Sequence, residues 1–447
     1  SVSLSYEINE QSISISASIG VSLYPVDDSD LDTLMRHADQ AMYQAKLAGR
    51  NRYYFFNAEE DNLTTKKHIQ LNEIEQALYN NEFSLFYQPK VNMATGKVFG
   101  AEALIRWNHP YKGLIMPLNF LPIIEDTELE ALIGSWVVNE ALKQLNCWLQ
   151  QGIELEISVN ISSFHLQQVS FISDLEAALA LYPKLDSHLL QLEILESSAL
   201  GELALINAII KKCMYTVGVN IALDDFGTGY SSLTHLKNLP ANTIKIDQSF
   251  VRDMLDDPDD YAIIEGIIGL ANSFNRKVIA EGVETIEHGL ILLSMGCKEA
   301  QGFGISKPMP AVDFPAWLNN YKPIQEWGLA ENKISTDKDN KLELLRLTFN
   351  QWQKHFKKNI ESPAENIENW PIMQQNKCHC GIWIERAKQE KLFDEKWIIK
   401  LDDMHNTMHD IADDLYKDYQ QDKVESSKEG LKDLSMIFEQ INSLFDQ

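Results

Sequence analysis

Eight short apolar runs along the chain end in a carboxylate, an amide or a lysine, at or near Gln88, Glu102, Asn160, Glu193, Asp224-Asp225, Lys245 with Asp247, Glu281 and Gln301. Glu, Asp and Asn are hard oxygen donors, suited to Mg2+ or Mn2+ and not to a structural zinc site. So many like charges in one place would repel strongly without a cation. A lysine among them can orient or deprotonate an attacking water. Solvated carboxylates at strand ends are the plain alternative for any single residue, but a poor account of the whole set.

Strands must bring these residues together. Thr243-Ile244-Lys245-Ile246-Asp247 and Lys277-Val278-Ile279-Ala280-Glu281 read as near-continuous apolar strands buried on both faces. A ring of such strands, with all carboxyl ends on one face, is a (β/α)8 TIM-like barrel, and its site lies on that face. Residues two or four apart share a strand face, so Glu102 and Arg106 share one, as do Lys245 and Asp247. Asp224 and Asp225 are adjacent and can aim at one site only if their strand ends there. Phe226-Gly227-Thr228-Gly229-Tyr230 supplies two glycines for such an exit. Glu196, three past Glu193, falls beyond its strand, where it can hold a loop.

The barrel is expected over residues 82–321. Its first two strands, 83–91 and 98–107, are joined only by Asn92-Met93-Ala94-Thr95-Gly96-Lys97. Parallel neighbours need a longer crossover, so the first strand is predicted to be antiparallel. Later strands alternate with helices over 132–148 and 261–274, where the apolar residues keep helical spacing.

Composition sets bounds on the rest. At 447 residues the chain is too long for one core, and two or more domains are expected. A net charge of −26 argues against binding DNA or RNA polymers or anionic membranes. A phosphorylated ligand is still compatible, where cations neutralise the site. The five cysteines form no disulfide framework, since only Cys378 and Cys380 lie close together, and a reducing compartment is expected. No run of about 18 apolar residues and no secretory signal is present, so a cytoplasmic location is expected. The chain opens at Ser1, without Met, in a strand-like region and reads as a fragment; upstream membrane segments would lie outside it.

Residues 1–57 read as a hairpin with arms 2–8 and 11–24, a helix over 31–47 and a strand over 52–56. Ser18-Ile19-Gly20-Val21, Ala38-Asp39-Gln40-Ala41-Met42-Tyr43-Gln44-Ala45-Lys46 and Gly49-Arg50-Asn51-Arg52 resemble the last third of a GGDEF (diguanylate cyclase) domain. The catalytic turn and the nucleotide-binding half of that family have no counterpart here. The resemblance therefore implies a truncated α+β GGDEF remnant without cyclase activity. A charged helical linker is expected over 58–81.

The middle of the chain resembles the EAL family of cyclic di-GMP phosphodiesterases over about 240 residues. The resemblance runs through Tyr87-Gln88-Pro89, Glu102-Ala103-Leu104-Ile105-Arg106-Trp107, Asn160-Ile161-Ser162, Glu193-Ile194-Leu195-Glu196-Ser197 and Asp224-Asp225-Phe226-Gly227-Thr228-Gly229-Tyr230-Ser231-Ser232-Leu233. It continues through Lys245-Ile246-Asp247, Ala280-Glu281-Gly282-Val283-Glu284-Thr285 and Gln301-Gly302-Phe303. Leu195 departs from the Thr frequent in the family and removes no ligand. The resemblance implies hydrolysis of cyclic di-GMP to linear pGpG with two divalent ions, Mg2+ or Mn2+. Glu102, Asn160, Glu193 and Asp224 would hold the first ion, and Asp225 and Asp247 the second. Lys245 would orient or deprotonate the attacking water, with Glu281 and Gln301 completing the shell. Gln88 and Arg106 would contact substrate, Arg106 through a charge-assisted bond to phosphate. Glu196 would pin the loop over 225–232, which the family also uses at a homodimer contact. A binding module that senses cyclic di-GMP without cleaving it is the competing reading; such relatives usually lose metal ligands, and none is lost here.

After a polar linker over 322–341, residues 342–447 carry only Pro363, Pro371 and Gly430 as decisive helix stops, so an all-α bundle is expected. His405 and His409 are four apart and share a helical face, and with Cys378 they could hold zinc. Cys378, Gly381 and Trp383 with this histidine pair resemble a chemoreceptor zinc-binding (CZB) domain. That family places a further histidine where this chain has Phe349, and His355 is poorly spaced to replace it. Water, Cys380 or His379 would have to fill the fourth position. The resemblance implies a regulatory Zn2+ site.

Overall fold

The computed structural model describes residues 6–8, 11–13, 15–196, 203–229, 240–328, 337–363, 367, 369–390, 393–421 and 423–446. It divides into two compact units, residues 1–82 with 118–124 and residues 83–117 with 125–447.

In the first unit β1 (Tyr6–Ile8) pairs antiparallel with β2 (Gln11–Ile13). β3 (Ile19–Val21) and β4 (Tyr53–Phe55) pair in parallel, with α1 (Leu31–Leu47) as the crossover that parallel pairing demands. The arm expected over 11–24 is therefore two short strands with different partners. Gly20 explains the departure. A Cβ there would collide with the α1 backbone at Ala38 and Met42, so glycine lets β3 lie directly on the helix. Asp30 starts α1 by accepting the Thr33 N–H at 2.9 Å. α2 (Ala58–Tyr79) and the short α3 (Leu121–Ile124) complete this unit.

The second unit holds a closed ring. Its strands are β5 (Phe83–Asn92), β6 (Lys97–His109), β8 (Glu156–Asn160), β9 (Leu190–Leu195), β10 (Asn220–Phe226), β11 (Thr243–Ile246), β12 (Lys277–Ala280) and β13 (Glu299–Ala300). β7 (Gly113–Ile115) and β14 (Met309–Pro310) add to its outer edges. The order is β5-β13-β12-β11-β10-β9-β8-β6 and back to β5. All neighbours are parallel except β5, which runs against both β6 and β13. Around the ring lie α4 (Glu128–Gln150), α5 (Ser163–Leu166), α6 (Phe171–Ala180), α7 (Leu203–Lys212), α8 (Gln248–Asp253), α9 (Pro258–Ser273), α10 (Ile286–Ser294) and α11 (Phe314–Asn320). α9 begins earlier than its apolar spacing suggests, because Asp257 caps it at 2.9 Å and Pro258 suits its first turn.

Near the amino ends of the parallel strands, the fully buried Lys90 bonds Glu156 at 2.9 Å, Ser158 at 3.2 Å and Gln191 at 3.2 Å. Gly100 makes room for it, since a Cβ there would lie 2.9 Å from the Lys90 stem. One end of the ring is thus closed by a satisfied polar plug, which leaves the opposite rim for chemistry.

A four-helix bundle follows: α12 (Asp337–Glu361), α13 (His379–Glu390), α14 (Glu395–Gln420) and α15 (Val424–Phe445). Phe349, Phe356, Ile384, Leu401, Leu434 and Phe438 are buried at its centre. α12 starts inside the linker expected over 322–341, because polarity alone does not stop a helix. Gly430, expected as a stop, lies within α15: a Cβ there would strike Leu415, so the glycine is a point of close helix approach. Among the described residues no helix is long and apolar enough to cross a membrane.

Candidate active site

The rim is assembled from strand ends followed at once by helix-capping turns. Asn160 ends β8, and Ser162 then caps α5 by accepting the His165 N–H at 3.2 Å. β11 ends at Ile246, and Asp247 caps α8 by accepting the Ser249 N–H at 2.9 Å and its hydroxyl. Asp247 therefore lies just past the strand that carries Lys245, at the start of the helix that follows. Register aligns the rest: Gln88 lies opposite Glu102, and Asn160 opposite Glu193.

Asp224 and Asp225 reach one site by another route than a strand end. β10 continues to Phe226, but its pairing with β11 slips between Leu223 and Phe226, and Asp225 adopts a left-handed φ of 51°. This is a β-bulge, which re-aims a side chain at the cost of local strain. Atoms of Asp224, Asp225 and Glu281 consequently lie within 4.8 Å of one another.

Lys245 sits at the centre, its Nζ 2.6 Å from Glu281, 2.7 Å from Glu193, 2.9 Å from Asp224 and 3.5 Å from Glu102. Gln301 Nε2 donates to both Glu102, at 2.6 Å, and Glu281, at 2.8 Å. Asn160 donates to the other Glu102 oxygen at 2.8 Å. Glu196 accepts the Gly227 N–H at 2.8 Å and so holds the start of the loop after β10. That loop leaves the described residues after Gly229, so Ser231 and Ser232 fall outside them. Gln88 donates to the Ser306 carbonyl at 3.1 Å and lines a cavity of ≈ 210 Å³ with Glu102, Asp224, Glu281 and Gln301. Arg106 feels the Glu102 charge, but its hydrogen bond and ring contact lie elsewhere: it donates to the Ile105 carbonyl at 2.9 Å and lies 5.5 Å over the Phe86 ring.

Burial dominates the electrostatics. It pushes the Glu193 carboxyl up to about 8 and raises Glu281, against the pull of Lys245. Asp225 rises to about 6 through burial and the neighbouring Asp224, and it shares a hydrogen bond with Asp247, which is lowered despite burial. Glu102 is lowered: burial works against it, but Lys245, Gln301 and Asn160 outweigh that. Burial also opposes the charge on Lys245, yet the surrounding carboxylates hold it well above its ordinary range.

Do these residues fit divalent cations? Glu193 Oε1 and Asp224 Oδ1 are buried without a hydrogen-bond partner, although the latter is at ion-pair distance from Lys245. Four carboxylates, Glu102, Glu193, Asp224 and Glu281, gather around one buried lysine, and Asp225 and Asp247 pair beside them. Hard oxygens with surplus negative charge are the donor set that Mg2+ or Mn2+ favours. The fit is good.

A second cluster lies inside the bundle. Cys378 Sγ is 3.1 Å from His405 Nε2 and 3.4 Å from His409 Nε2, and all three residues are buried. Burial pushes the thiol up to about 11 and His405 down to about 3, and it lowers His409. Neither His379 nor Cys380 joins the three at ligand distance; both border a cavity of ≈ 10 Å³ that Thr348, Phe349 and Trp352 close from α12. His355 is committed elsewhere, to Asp256 and Asn369.

Gln248, Glu284 and Phe303 also line the rim cavity and were not singled out from sequence. Gln248 could have been found from its place directly after Asp247. Glu284 could have been found as the second acid of Glu281-Gly282-Val283-Glu284.

Comparison with known proteins follows the same division. The diguanylate cyclase GGDEF domain model matches residues 1–52, and the EAL domain model matches residues 71–308. The bifunctional diguanylate cyclase/cyclic di-GMP phosphodiesterase MucR of Pseudomonas aeruginosa is 42% identical over 312 residues, 69% of this chain and 45% of that protein. The cyclic di-GMP phosphodiesterase PdeR of Escherichia coli is 37% identical over 323 residues, 71% of this chain and 48% of that protein. The chain thus spans less than half the length of these curated relatives. Among solved structures, the PaMucR phosphodiesterase in complex with c-di-GMP is 41% identical with a TM-score of 0.53, covering 55% of this chain and 99% of that one. The EAL enzyme Bd1971, bound to cAMP and cyclic di-GMP, is 33% identical with a TM-score of 0.55, covering 66% and 77%. A closed ring with one antiparallel strand, an acidic rim around Lys245 and a family match over more than half its length together mean that the chain belongs to the EAL domain family.

Proposed function

We propose that the barrel is a cyclic di-GMP phosphodiesterase. Water adds to one phosphorus, the P–O bond to a ribose 3′ oxygen breaks, that oxygen takes a proton, and the ring opens to linear pGpG. The carrying observation is the convergence of Glu102, Glu193, Asp224 and Glu281 on Lys245 beside a cavity of ≈ 210 Å³. The names of MucR and PdeR, and the PaMucR complex with c-di-GMP, support the substrate class.

Glu102, Asn160, Glu193 and Asp224 would hold one Mg2+ or Mn2+, and Asp225 with Asp247 a second. Bound there, such ions supply neutralisation of the rim, polarisation of the phosphoryl group and easier ionisation of the attacking water. Lys245, kept cationic by its carboxylates, orients that water and balances charge developing at phosphorus. Gln301 keeps Glu102 and Glu281 in register, and Glu196 steadies the loop after β10 through Gly227. Gln88 and Arg106 position the substrate, Arg106 by turning its guanidinium to a phosphate. A homodimer through the barrel belongs to the same reading.

Chromatography of reaction products in Mg2+ or Mn2+ tests it. Wild-type chain should release pGpG, and Glu102→Ala and Lys245→Ala should not. Wild-type-like turnover in either variant refutes the assignment, and ligand binding without product by the wild type would make the barrel a sensor.

The bundle is read as a zinc-binding regulatory domain of the CZB kind, with Cys378, His405 and His409 as ligands. Support comes from the donor set: imidazoles already neutral, and a buried thiol that a soft cation would help to ionise. Elemental analysis of wild type against Cys378→Ser, together with turnover with and without a zinc chelator, tests occupancy and control.

A further inference from the structure

The bundle meets the barrel at the corner between α8 and α9, where one histidine commits both ring nitrogens. His355 on α12 places Nδ1 3.1 Å from Asp256 Oδ1 and Nε2 3.2 Å from the Asn369 carbonyl oxygen. Both partners are acceptors. A neutral imidazole has a single N–H and would turn a lone pair towards one of them, so only the imidazolium satisfies both. The two side chains are 24% and 34% exposed.

The charges around the ring agree. The Asp256 hydrogen bond chiefly raises the His355 pKa against burial, with Asn369 assisting and Lys358 on α12 opposing. From α13, His379 is held neutral at about 4 by burial and donates to the Met254 backbone, and Asp257 adds negative charge on the barrel side.

Beside it, His379 packs edge-on against Tyr261, their ring centroids 5.7 Å apart, and Leu255 and Asp256 share a small cavity with Thr348, Phe349 and Trp352. A cavity of ≈ 230 Å³ lies between Pro258 and Tyr261 of the barrel and Leu345 and Trp383 of the bundle. A second ion pair across it, Arg386 with Glu265 at 3.9 Å, has both side chains 56% exposed and contributes little. Asp256 lies just past the end of α8, and Asp247, just before its start, caps it and bonds Asp225 at the rim. A helix of six residues therefore joins the histidine's partner to the proposed catalytic rim.

We propose that protonation of His355 latches the bundle onto the α8–α9 corner and so controls the placement of Asp247. The latch holds below the histidine's ordinary value of 6.5 and is released as pH rises through its higher value in the docked state. The effect on turnover rests on the phosphodiesterase reading; the docking step does not, and it is measured without substrate.

Hydrogen exchange of the full chain, corrected for intrinsic rates and read at about pH 6 and about pH 8.5, tests the latch. Protection over residues 254–261 should fall by about tenfold or more at the higher pH, while α14 stays protected as the folding control. His355→Gln should show the low protection at both pH values, and His355→Lys, a lasting cation, should keep the high one. Histidine-resolved NMR titration should find the His355 pKa back near its ordinary value in Asp256→Asn. Equal wild-type protection at both pH values, a wild-type pH step in His355→Gln, or an unchanged His355 titration in Asp256→Asn would each overturn the latch.

Discussion

The barrel rim and the bundle core each gather a cluster of side chains of metal-ligating type, and they do so on opposite electrostatic plans. At the rim, carboxylates outnumber the lysine they surround and border a cavity of ≈ 210 Å³. In the bundle, a thiol and two neutral imidazoles sit behind Phe349 and Trp352 beside only ≈ 10 Å³. Burial is the common cause and has contrary results, driving carboxyls towards holding protons and imidazoles towards losing them. A cation entering the rim must therefore displace protons from carboxyls, whereas in the bundle only the Cys378 thiol, at about 11, has one to give up. Donor type and access, not depth, separate the proposed place for turnover from the proposed place for a held ion.

The strongest way to break this comparison is Lys245→Ala. Product formation should fall by more than about 100-fold, with zinc content by elemental analysis unchanged; a parallel loss of zinc would show that the clusters are not independent. Gln301→Ala should lower kcat by about 10- to 100-fold, because it releases two rim carboxylates without removing a ligand. An effect confined to KM would make Gln301 a substrate contact instead. Gly430→Ala, which forces a methyl against Leu415, should cost the bundle about 1–3 kcal/mol in urea unfolding. Barrel turnover measured below that transition should be unaffected.

Acid titration gives the smallest but sharpest contrast, since the slopes have opposite sign. Glu193 is raised from 4.5 to about 8, so its contribution to barrel stability is present at low pH and lost as pH climbs through about 8. Mn2+ should remove that loss. His405 is lowered from 6.5 to about 3, so the bundle gains stability as pH rises through this window and keeps it above 6.5. Region-resolved hydrogen exchange across the range should show the two trends crossing; parallel trends would contradict the electrostatic contrast.

What could be read in advance follows from how each feature writes itself into the chain. Parallel strands buried on both faces appear as unbroken apolar runs, and the residue that ends each run is the one facing the rim, so the site was legible together with the ring. The antiparallel β5 was legible from a connection too short for a crossover. The bulge at Asp225 was not, because adjacent acids look the same whether a strand stops or slips its register. Three-residue strands such as β3 carry too little alternation to reveal a partner, and the β3–β4 pair depends on Gly20 meeting α1. Gly430 is silent in the same way, since its role is the space it leaves for Leu415. The buried Lys90 and the pair of His355 with Asp256 join residues far apart in the chain and needed three dimensions.

Gln301 follows β13, a strand only two residues long, and its amide spans from Glu281 on one side to Glu102 beyond β5. The thinnest stave of the ring thus carries the bolt that ties its neighbours together. Any gap opening there would scatter several rim groups before a single helix unwound. Catalysis in such a design doubles as a strain gauge: turnover that fades while helix content holds would report the hoop parting at that stave.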